Sequence, residues 1–477
     1  MAQSTELIDI LLDLREWQTF DCKRADISPS KILETICAFS NTEGGDIALG
    51  LEDPEKATRD KRILGIEGNE DKISEILNMV EKEFEPPLSD IRTSEITVTN
   101  VNGNEDKVIL LKIQKGRDIH SLKKGDTFVR KGNQNHKIGA QEITRLRYEK
   151  GALKFEDEIA SSVNLDDLDQ ELLKRYKADT GSHENNDLQF LKDNGLAVRQ
   201  GGDIVITKAG SLLFGKNPAV AMKSKCGIKV SHYYGKSRNF TGTPNFVRRP
   251  FTIEGPLMKQ IEDAVGYYKK VVASSPPKLV GANFLPSLLI PEWAFQEAIT
   301  NAVIHRNYFT EDDIHVRIFD DRIEIESPGT YPGFITPQNI RSERYARNVI
   351  IQRTLNRFNA GPNLDIGEGV DRIFQVMKEN NLYEPIYFPA SKRPNSVELH
   401  LFNMQRIDYW DTVGNYLDDN YRINNQTTRE ITGIQDSSKV SRLLKQWVNK
   451  GLIEKIDSGY KGNIFYKKLG AEVPSTD

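Results

Sequence analysis

The strongest constraint on the fold is how often hydrophobic spacing changes period, with glycine or proline marking many of the breaks. "STELIDILLDL" carries apolar residues at helical spacing behind a Ser4 N-cap, which predicts a first helix. "EWQTFDCKRA" then predicts a strand, and "SPSKILETICAFSNTEGG" a helix opened by Ser28 and Pro29 and closed by Gly44 and Gly45. "DIALGLED" predicts the next strand and "NEDKISEILNMVEKEFEPP" an amphipathic helix that stops at Pro86. "DIRTSEITVTNVNGNEDKVILLKIQ" predicts a hairpin turning at Asn102 and Gly103, followed by the strand "TFVRKGN". Even the apolar stretch "LVGANFLPSLLIPEWAF" is broken by two prolines, short of the roughly 18 residues a membrane span needs. No internal repeat is found, which argues against a solenoid.

A chain of 477 residues exceeds one ordinary core, so three or four domains are expected. Apolar content of 38% and charged content of 28% belong to soluble globular proteins rather than disordered or membrane ones. The reading is an α+β multidomain protein with units at 1–140, 141–215, 216–403 and 404–477. The second is a helical connector with a small helix–hairpin–helix element around Gly201 and Gly202. A net charge of −4 excludes binding to nucleic acid by bulk attraction, so such contact needs local basic patches. Three cysteines without a CxxC pair argue against disulfides and structural zinc. The acidic start "MAQSTELIDI" is unlike a secretory signal and predicts a cytoplasmic protein without membrane contact.

"REWQTFDCKRAD" crowds Glu16, Asp21 and Lys23 beside Trp17 and Phe20. In an extended strand, residues five apart point to opposite faces unless a bend intervenes, so spacing leaves open whether Glu16 and Asp21 share a site or are separate solvated acids. Asp53 ends "GGDIALGLED" at the carboxyl end of a strand, where open sheets tend to carry chemistry. Three converging carboxylates need a cation between them, and oxygen ligands suit Mg²⁺ or Mn²⁺, an ion able to activate water for phosphodiester cleavage. Arg130 and Lys131, beside Gly132, are candidates for phosphate contact or are simply solvated. His120 and His136 read as surface histidines.

Three blocks, "REWQTFDCKRA", "ICAFSNTEGGDIALGLED" and "GDTFVRKGNQN", resemble the Schlafen-type, AlbA-like domain in order and spacing. In nuclease members of that family the two early acids and the late Asp bind metal. The resemblance implies Glu16, Asp21 and Asp53 as metal ligands, with Lys23 as the adjacent base. Asp21 stands where Glu is usual and Cys22 where Phe is usual. Other relatives are described only as nucleic-acid binding.

"IPEWAFQEAITNAVIHRNY" sets Glu297, Asn301 and His305 four residues apart along one helix face, while Ala298, Ile299, Ala302 and Val303 face inward. This stripe resembles the N box of the GHKL, Bergerat-fold, ATPases, in which Asn holds Mg²⁺ on the phosphates and Glu prepares water. "IESPGTYPG" and "LDIGEGVDRI" fall where that family has its glycine loops, with Gly329, Gly333, Gly367 and Gly369. Glycines let backbone N–H groups approach phosphate, and a helix starting at Gly369 adds its positive end. Ser327 occupies the place of the Asp that binds adenine in that family. The implied cofactors are Mg²⁺ or Mn²⁺ and ATP, and the alternative is a scaffold that only holds domains together.

The final segment, "QTTREITGIQDSSKVSRLLKQWVNKGLIEKIDSGYKGNIFYKK", predicts a winged helix. Val440, Leu443, Leu444 and Trp447 form its buried stripe, leaving Lys439, Ser441, Arg442 and Lys445 to meet a duplex, with Lys461 in the wing. Two functions follow. One is a metal-dependent endonuclease acting on RNA such as tRNA, controlled by nucleotide or assembly and serving phage defence. The other is a nucleotide-responsive, DNA-binding transcriptional regulator without catalysis. RNA or DNA is the expected partner, and the resemblances imply a homo-oligomer.

Overall fold

One small sheet, buried on both faces, organises the first part of the chain. The computed structural model describes residues 2–88, 91–274, 278–280, 283–285, 288–362, 367–390, 392–406, 409–456 and 464–473. The chain divides into two units, Met1–Arg147 with Ile407–Asp477, and Tyr148–Arg406.

In the first unit, strands Phe20–Lys23, Gly45–Leu49, Glu105–Ile113 and Ile91–Thr99 lie side by side in that order. The first two are parallel because helix Pro29–Asn41 supplies the crossover such a pair requires; the others are antiparallel. Alternate side chains separate into two cores. Ile47, Leu49, Ile109 and Leu111 pack with Ile32, Ile36 and Phe39, whereas Ala48, Val108 and Leu110 pack with Leu7, Leu11, Phe20 and Cys22. Asp21 pairs with Ile47 and Lys23 with Leu49 in register, so both lie on the Ile47–Leu49 face.

The strand expected over "EWQTFDCKRA" is shorter than that segment. It begins only at Phe20, after a tight turn in which Trp17 N donates to Phe20 O at 2.9 Å. That turn is the bend that spacing alone left open, and it returns Glu16 to the side of Cys22.

Helices Trp410–Asp419, Asn425–Thr432 and Ser437–Asn449, with strands ordered Ile423–Asn424, Phe465–Lys468, Ile453–Lys455, belong to the same unit as this sheet. Val473 joins the core of Leu7 and Leu11, Lys112 pairs with Glu472 at 2.9 Å, and Asp13 takes both Arg59 and Arg422.

The second unit is built on a six-stranded sheet in the order Phe251–Ile253, Ile228–His232, Ile314–Ile318, Arg322–Pro328, Ser396–Phe402, Ile386–Tyr387. Only the Ile228–His232 and Ile314–Ile318 pair is parallel. Ile323, Ile325, Leu399 and Leu401 point to one face and meet Ala294, Ala298 and Ile299 of helix Glu292–His305. The opposite face carries Arg317, Arg322, Glu324, Glu398 and His400. Before the sheet, helix Asp187–Asp193, hairpin Ala197–Gln200 with Asp203–Ile206, and helix Lys208–Phe214 form the expected helix–hairpin–helix element. No helix of the described residues is long and apolar enough to cross a membrane.

Candidate nucleotide cavity and acid pair

Lys23 is the centre of the acid pair. Its Nζ donates to Glu16 at 2.8 Å and makes a short contact with Asp21, which is 1% exposed. Burial pushes the Asp21 carboxyl up to about 7; Lys23 opposes this and the neighbouring Glu16 adds to it. For Glu16, burial acts upward, but hydrogen bonds with Asp21 and Lys23 outweigh it and hold the group below the ordinary carboxylate range. Lys23 behaves in mirror image: burial acts downward, and the two carboxylates reverse it to a net rise. The two carboxyls are thus pushed in opposite directions, Asp21 up and Glu16 down, around one ammonium group.

Asp53 is placed otherwise. Its Oδ1 accepts from Glu55 N at 2.8 Å at the start of a turn, as a loop aspartate commonly does. Among the described residues, the only group of three possible ligands within 4.8 Å of one another is Glu324, Glu398 and His400. Glu16, Asp21 and Asp53 do not converge this closely. The Glu324 group is itself neutralised by arginine: Arg322 and Arg238 hold Glu324, and Arg393 holds Glu398.

Arg130, expected at phosphate, is 3% exposed and serves as the internal counter-charge of Asp21. Its Nε donates to Trp17 O and Gly132 O, its Nη1 to Asn135, and its guanidinium lies 5.1 Å over the Phe39 ring. Its Nη2 is buried with no hydrogen-bond partner among the described residues. Lys131 is exposed, 4.0 Å from Glu142. Trp17, 59% exposed, stands over Gly132, where its ring lies 3.5 Å from the place a Cβ would take. His120 is buried rather than superficial, with Nδ1 2.8 Å from Pro86 O. Asn41 fixes this region by donating to His120 O and Phe128 O and accepting from His120 N.

The polar stripe of helix Glu292–His305 lines a cavity of about 370 Å³ in the second unit. Glu297, Asn301 and His305 face it from one side, and Gly367, Gly369 and Arg344 line it too. Asn301 Nδ2 donates to Glu297 Oε1 at 3.2 Å, leaving its carbonyl oxygen available. Burial pushes the Glu297 carboxyl up to about 7, against the Asn301 hydrogen bond. Burial, with Arg347 nearby, pushes the His305 imidazole down to about 4, and its Nδ1 has no partner among the described residues. Gly369 opens helix Gly369–Glu379 where a Cβ would lie 1.9 Å from Glu297 Oε1, so only glycine lets the carboxylate approach that helix end.

Gly329 adopts φ +102° with Asn307 Cβ 2.5 Å from a would-be Cβ, so backbone shape and crowding both require glycine there. Gly333 lies beside the Tyr345 ring and Gly367 beside Arg344. Ser327 lines the cavity, but its hydroxyl donates to Ala302 O at 2.9 Å. Arg344 and Arg372, both lining the cavity, are cations that sequence reasoning missed. Neither lies on the patterned helix face that drew attention to Glu297.

On helix Ser437–Asn449, Val440, Leu444 and Trp447 are buried, Leu443 of the expected stripe is only half-buried, and Lys439, Ser441, Arg442 and Lys445 are exposed. Ser441 accepts from Asn425, and Lys439 lies 5.8 Å from the Tyr409 ring centre. Lys461 lies outside the described residues.

Residues 16–139 match the family model described as Schlafen, AlbA_2. The first unit carries a Schlafen AlbA_2 domain. Residues 311–399 match the model described as putative ATP-dependent DNA helicase recG C-terminal, so the second unit carries an ATPase-like domain. That span holds helix Gly369–Glu379 but stops short of helix Glu292–His305. The two domains together suggest a nucleic-acid-related, ATP-dependent function. A comparison with curated proteins finds no match. Among solved structures, the DIP2311 protein from Corynebacterium diphtheriae is similar, with TM-score 0.42 and 18% identity over 99% of this chain and 98% of that one.

Within the Schlafen AlbA_2 domain the acid pair and Lys23 belong to the matched residues, and so does Trp17. The pair and its lysine were recoverable from the motif. The internal role of Arg130 was not, since a basic residue at a strand end reads as solvated until the buried Asp21 is placed against it.

Proposed function

We propose that the protein acts on nucleic acid under the control of a nucleoside triphosphate held in the second unit. The observation that carries this reading is the cavity in which Glu297, Asn301 and His305 share a wall with Gly367 and Gly369. The residues fit such a ligand. A helix end without a side chain at Gly369 suits phosphate, Arg344 and Arg372 supply positive charge, and the free Asn301 carbonyl suits Mg²⁺ or Mn²⁺. When bound, the metal neutralises phosphate charge and polarises water. Glu297, its carboxyl raised by burial to about 7, would be the group to accept a proton from such water, and His305, pushed down to about 4, would add no charge of its own to that of Arg344 and Arg372. Ser327, whose hydroxyl is engaged by Ala302, offers no carboxylate to an adenine amino group. Base selection is therefore weak, and GTP competes with ATP.

The test is fluorescence anisotropy with labelled tRNA and duplex DNA, with and without ATP and Mg²⁺. The reading expects an affinity that changes with ATP in the parent protein and not in Asn301→Ala. Nucleic-acid binding indifferent to ATP in both would remove nucleotide control.

Metal-dependent cleavage is a second reading, favoured by the Glu16–Asp21 pair and by the unpartnered Nη2 of Arg130 beside it. Glu16 and Asp21 would offer a divalent cation oxygen ligands with Asp53 as a third, and Lys23 would counter charge on a scissile phosphate. Incubation with tRNA and Mn²⁺ should then yield fragments that vanish with chelator and in Asp21→Asn. Intact RNA throughout would leave a binding protein, with the exposed Lys439, Arg442 and Lys445 as a winged-helix contact to DNA. Light scattering tests the accompanying expectation of a homo-oligomer.

A further inference from the structure

A larger cavity of about 680 Å³ lies elsewhere in the second unit, against strand Phe251–Ile253 and helix Leu257–Ser274. His232, Arg248, Phe251, Gly266, Tyr267 and Lys270 are among its lining residues. Gly266 sits inside an 18-residue helix, where glycine is among the least favourable residues. Apart from its chain neighbours and the adjoining backbone of its own helix, no atom of the described residues lies within 4 Å of the place its Cβ would take. Packing therefore does not call for glycine at 266, and its effect is to widen the cavity.

Residues 233–250, "YYGKSRNFTGTPNFVRRP", reach this cavity through Val247 and Arg248 and hold Lys236, Arg238, Arg248 and Arg249 with no acid. Tyr234 is 63% and Phe240 86% exposed. The segment is nevertheless pinned. Tyr233 bridges Phe246 with ring centres 4.8 Å apart, and Asn245 accepts from Asn239 N at 2.8 Å and donates to Ser237 O at 2.9 Å. A loop with this much internal bonding holds two aromatic rings in water, where burial would favour them. Arg238 is paired with Glu324, whereas Lys236, Arg248, Arg249 and Lys270 have no ion pair among the described residues. The Arg248 guanidinium lies 4.5 Å over Phe251 and 5.5 Å over Tyr267.

We propose that residues 233–250 and this cavity bind single-stranded nucleic acid. One nucleotide enters beside Tyr267 and Gly266, its phosphates meet Arg248 and Lys270, and neighbouring bases stack on Phe240 and Tyr234. Unpaired cations interleaved with exposed rings fit a strand whose bases are unstacked, because a duplex offers no free base faces. Glu254 and Asp263 also line the cavity. They would repel a polyphosphate but accept from the amino and imino N–H groups of a base, which favours a nucleotide within a strand over a free triphosphate. The inference rests on the nucleic-acid part of the proposed function and is independent of the nucleotide cavity.

The test uses the full chain with fluorescein-labelled 15-mers of dT and rU, read by anisotropy across a salt series. Tyr234→Ala with Phe240→Ala should weaken binding by roughly tenfold or more. Arg248→Gln with Lys270→Gln should reduce the slope of log affinity against log salt by about 1.4, two phosphate contacts' worth. Gly266→Leu, which suits a helix but fills the cavity, should weaken binding at unchanged slope, and all variants should keep the parent's thermal shift with ATP. Variants that bind like the parent overturn the inference. A parent that ignores both 15-mers but holds duplex DNA overturns it and leaves the proposed function standing; a parent that binds no nucleic acid removes both.

Discussion

The acid pair of the first unit and the nucleotide cavity of the second are both built on buried carboxylates, yet they differ in what completes them. Asp21 and Glu16 have partners within the protein: Lys23 bridges them, and Arg130 stands behind Asp21. Glu297 has one amide, Asn301, and an open space, and His305 beside it has a ring nitrogen with no partner among the described residues. A self-neutralised pair stays folded without help and must rearrange before it takes a metal. Polar groups left facing a cavity stand ready for a ligand. The second site is thus the better organised for binding, and the first the more tightly coupled to stability.

The largest expected effect breaks the self-sufficiency of the first site. Lys23→Met leaves two carboxylates without their shared cation, and removal of one partner of a buried pair costs about 3 kcal/mol. Urea denaturation should show this loss at pH 8 and a partial recovery at pH 5, where Asp21 takes up a proton. A midpoint unchanged at pH 8 would mean that Lys23 is incidental.

The second prediction sharpens the contrast through pH. Glu297 is raised from 4.5 to about 7 in the folded protein. Below the unfolded value both states hold the proton; as pH rises toward 7 the unfolded chain releases it first. The associated stability is therefore present below about pH 4.5 and lost as pH climbs through 7. Glu297→Gln should remove a fall of about 2–3 kcal/mol over that window, seen as a flatter plot of urea midpoint against pH. A third, smaller effect concerns the helix end: Gly369→Ala drives a methyl into Glu297 and should cost about 1–2 kcal/mol while weakening the thermal shift with ATP. A shift as large as the parent's would show that Glu297 moves aside freely.

How much of this was legible depended on whether a site lies on one element. Glu297, Asn301 and His305 share a helix face by spacing alone, and so do Val440, Leu444 and Trp447, because helix geometry is local. The Glu16–Asp21 meeting was not legible from strand spacing, since it depends on the turn at Trp17–Phe20 that shortens the strand. Asp53 looked like a third ligand from its position after a strand, but its Oδ1 accepts from the Glu55 amide and it is not grouped within 4.8 Å of Glu16 and Asp21. Arg130 looked available to phosphate and His120 superficial because their burial comes from partners far along the chain, Asp21 and Pro86. The pairing of Arg422 with Asp13 on the first helix and of Glu472 with Lys112 in the first sheet leaves no trace in local periodicity. The two-face alternation of Ile47, Ala48 and Leu49 was readable only as a short apolar run.

The smallest expected effect lies at the surface. Lys445→Ala touches an exposed position on helix Ser437–Asn449, so stability should change by less than about 0.5 kcal/mol. If this helix meets duplex DNA, the slope of log affinity against log salt should drop by about 0.9. An unaltered slope would assign duplex contact elsewhere.

Titration calorimetry of ATP with Mg²⁺ into the full chain, beside Asn301→Ala, addresses the central claim most directly. The account predicts one triphosphate bound per chain in the parent and none in the variant, with GTP competing. Equal heats from both proteins, or none from the parent, would contradict it.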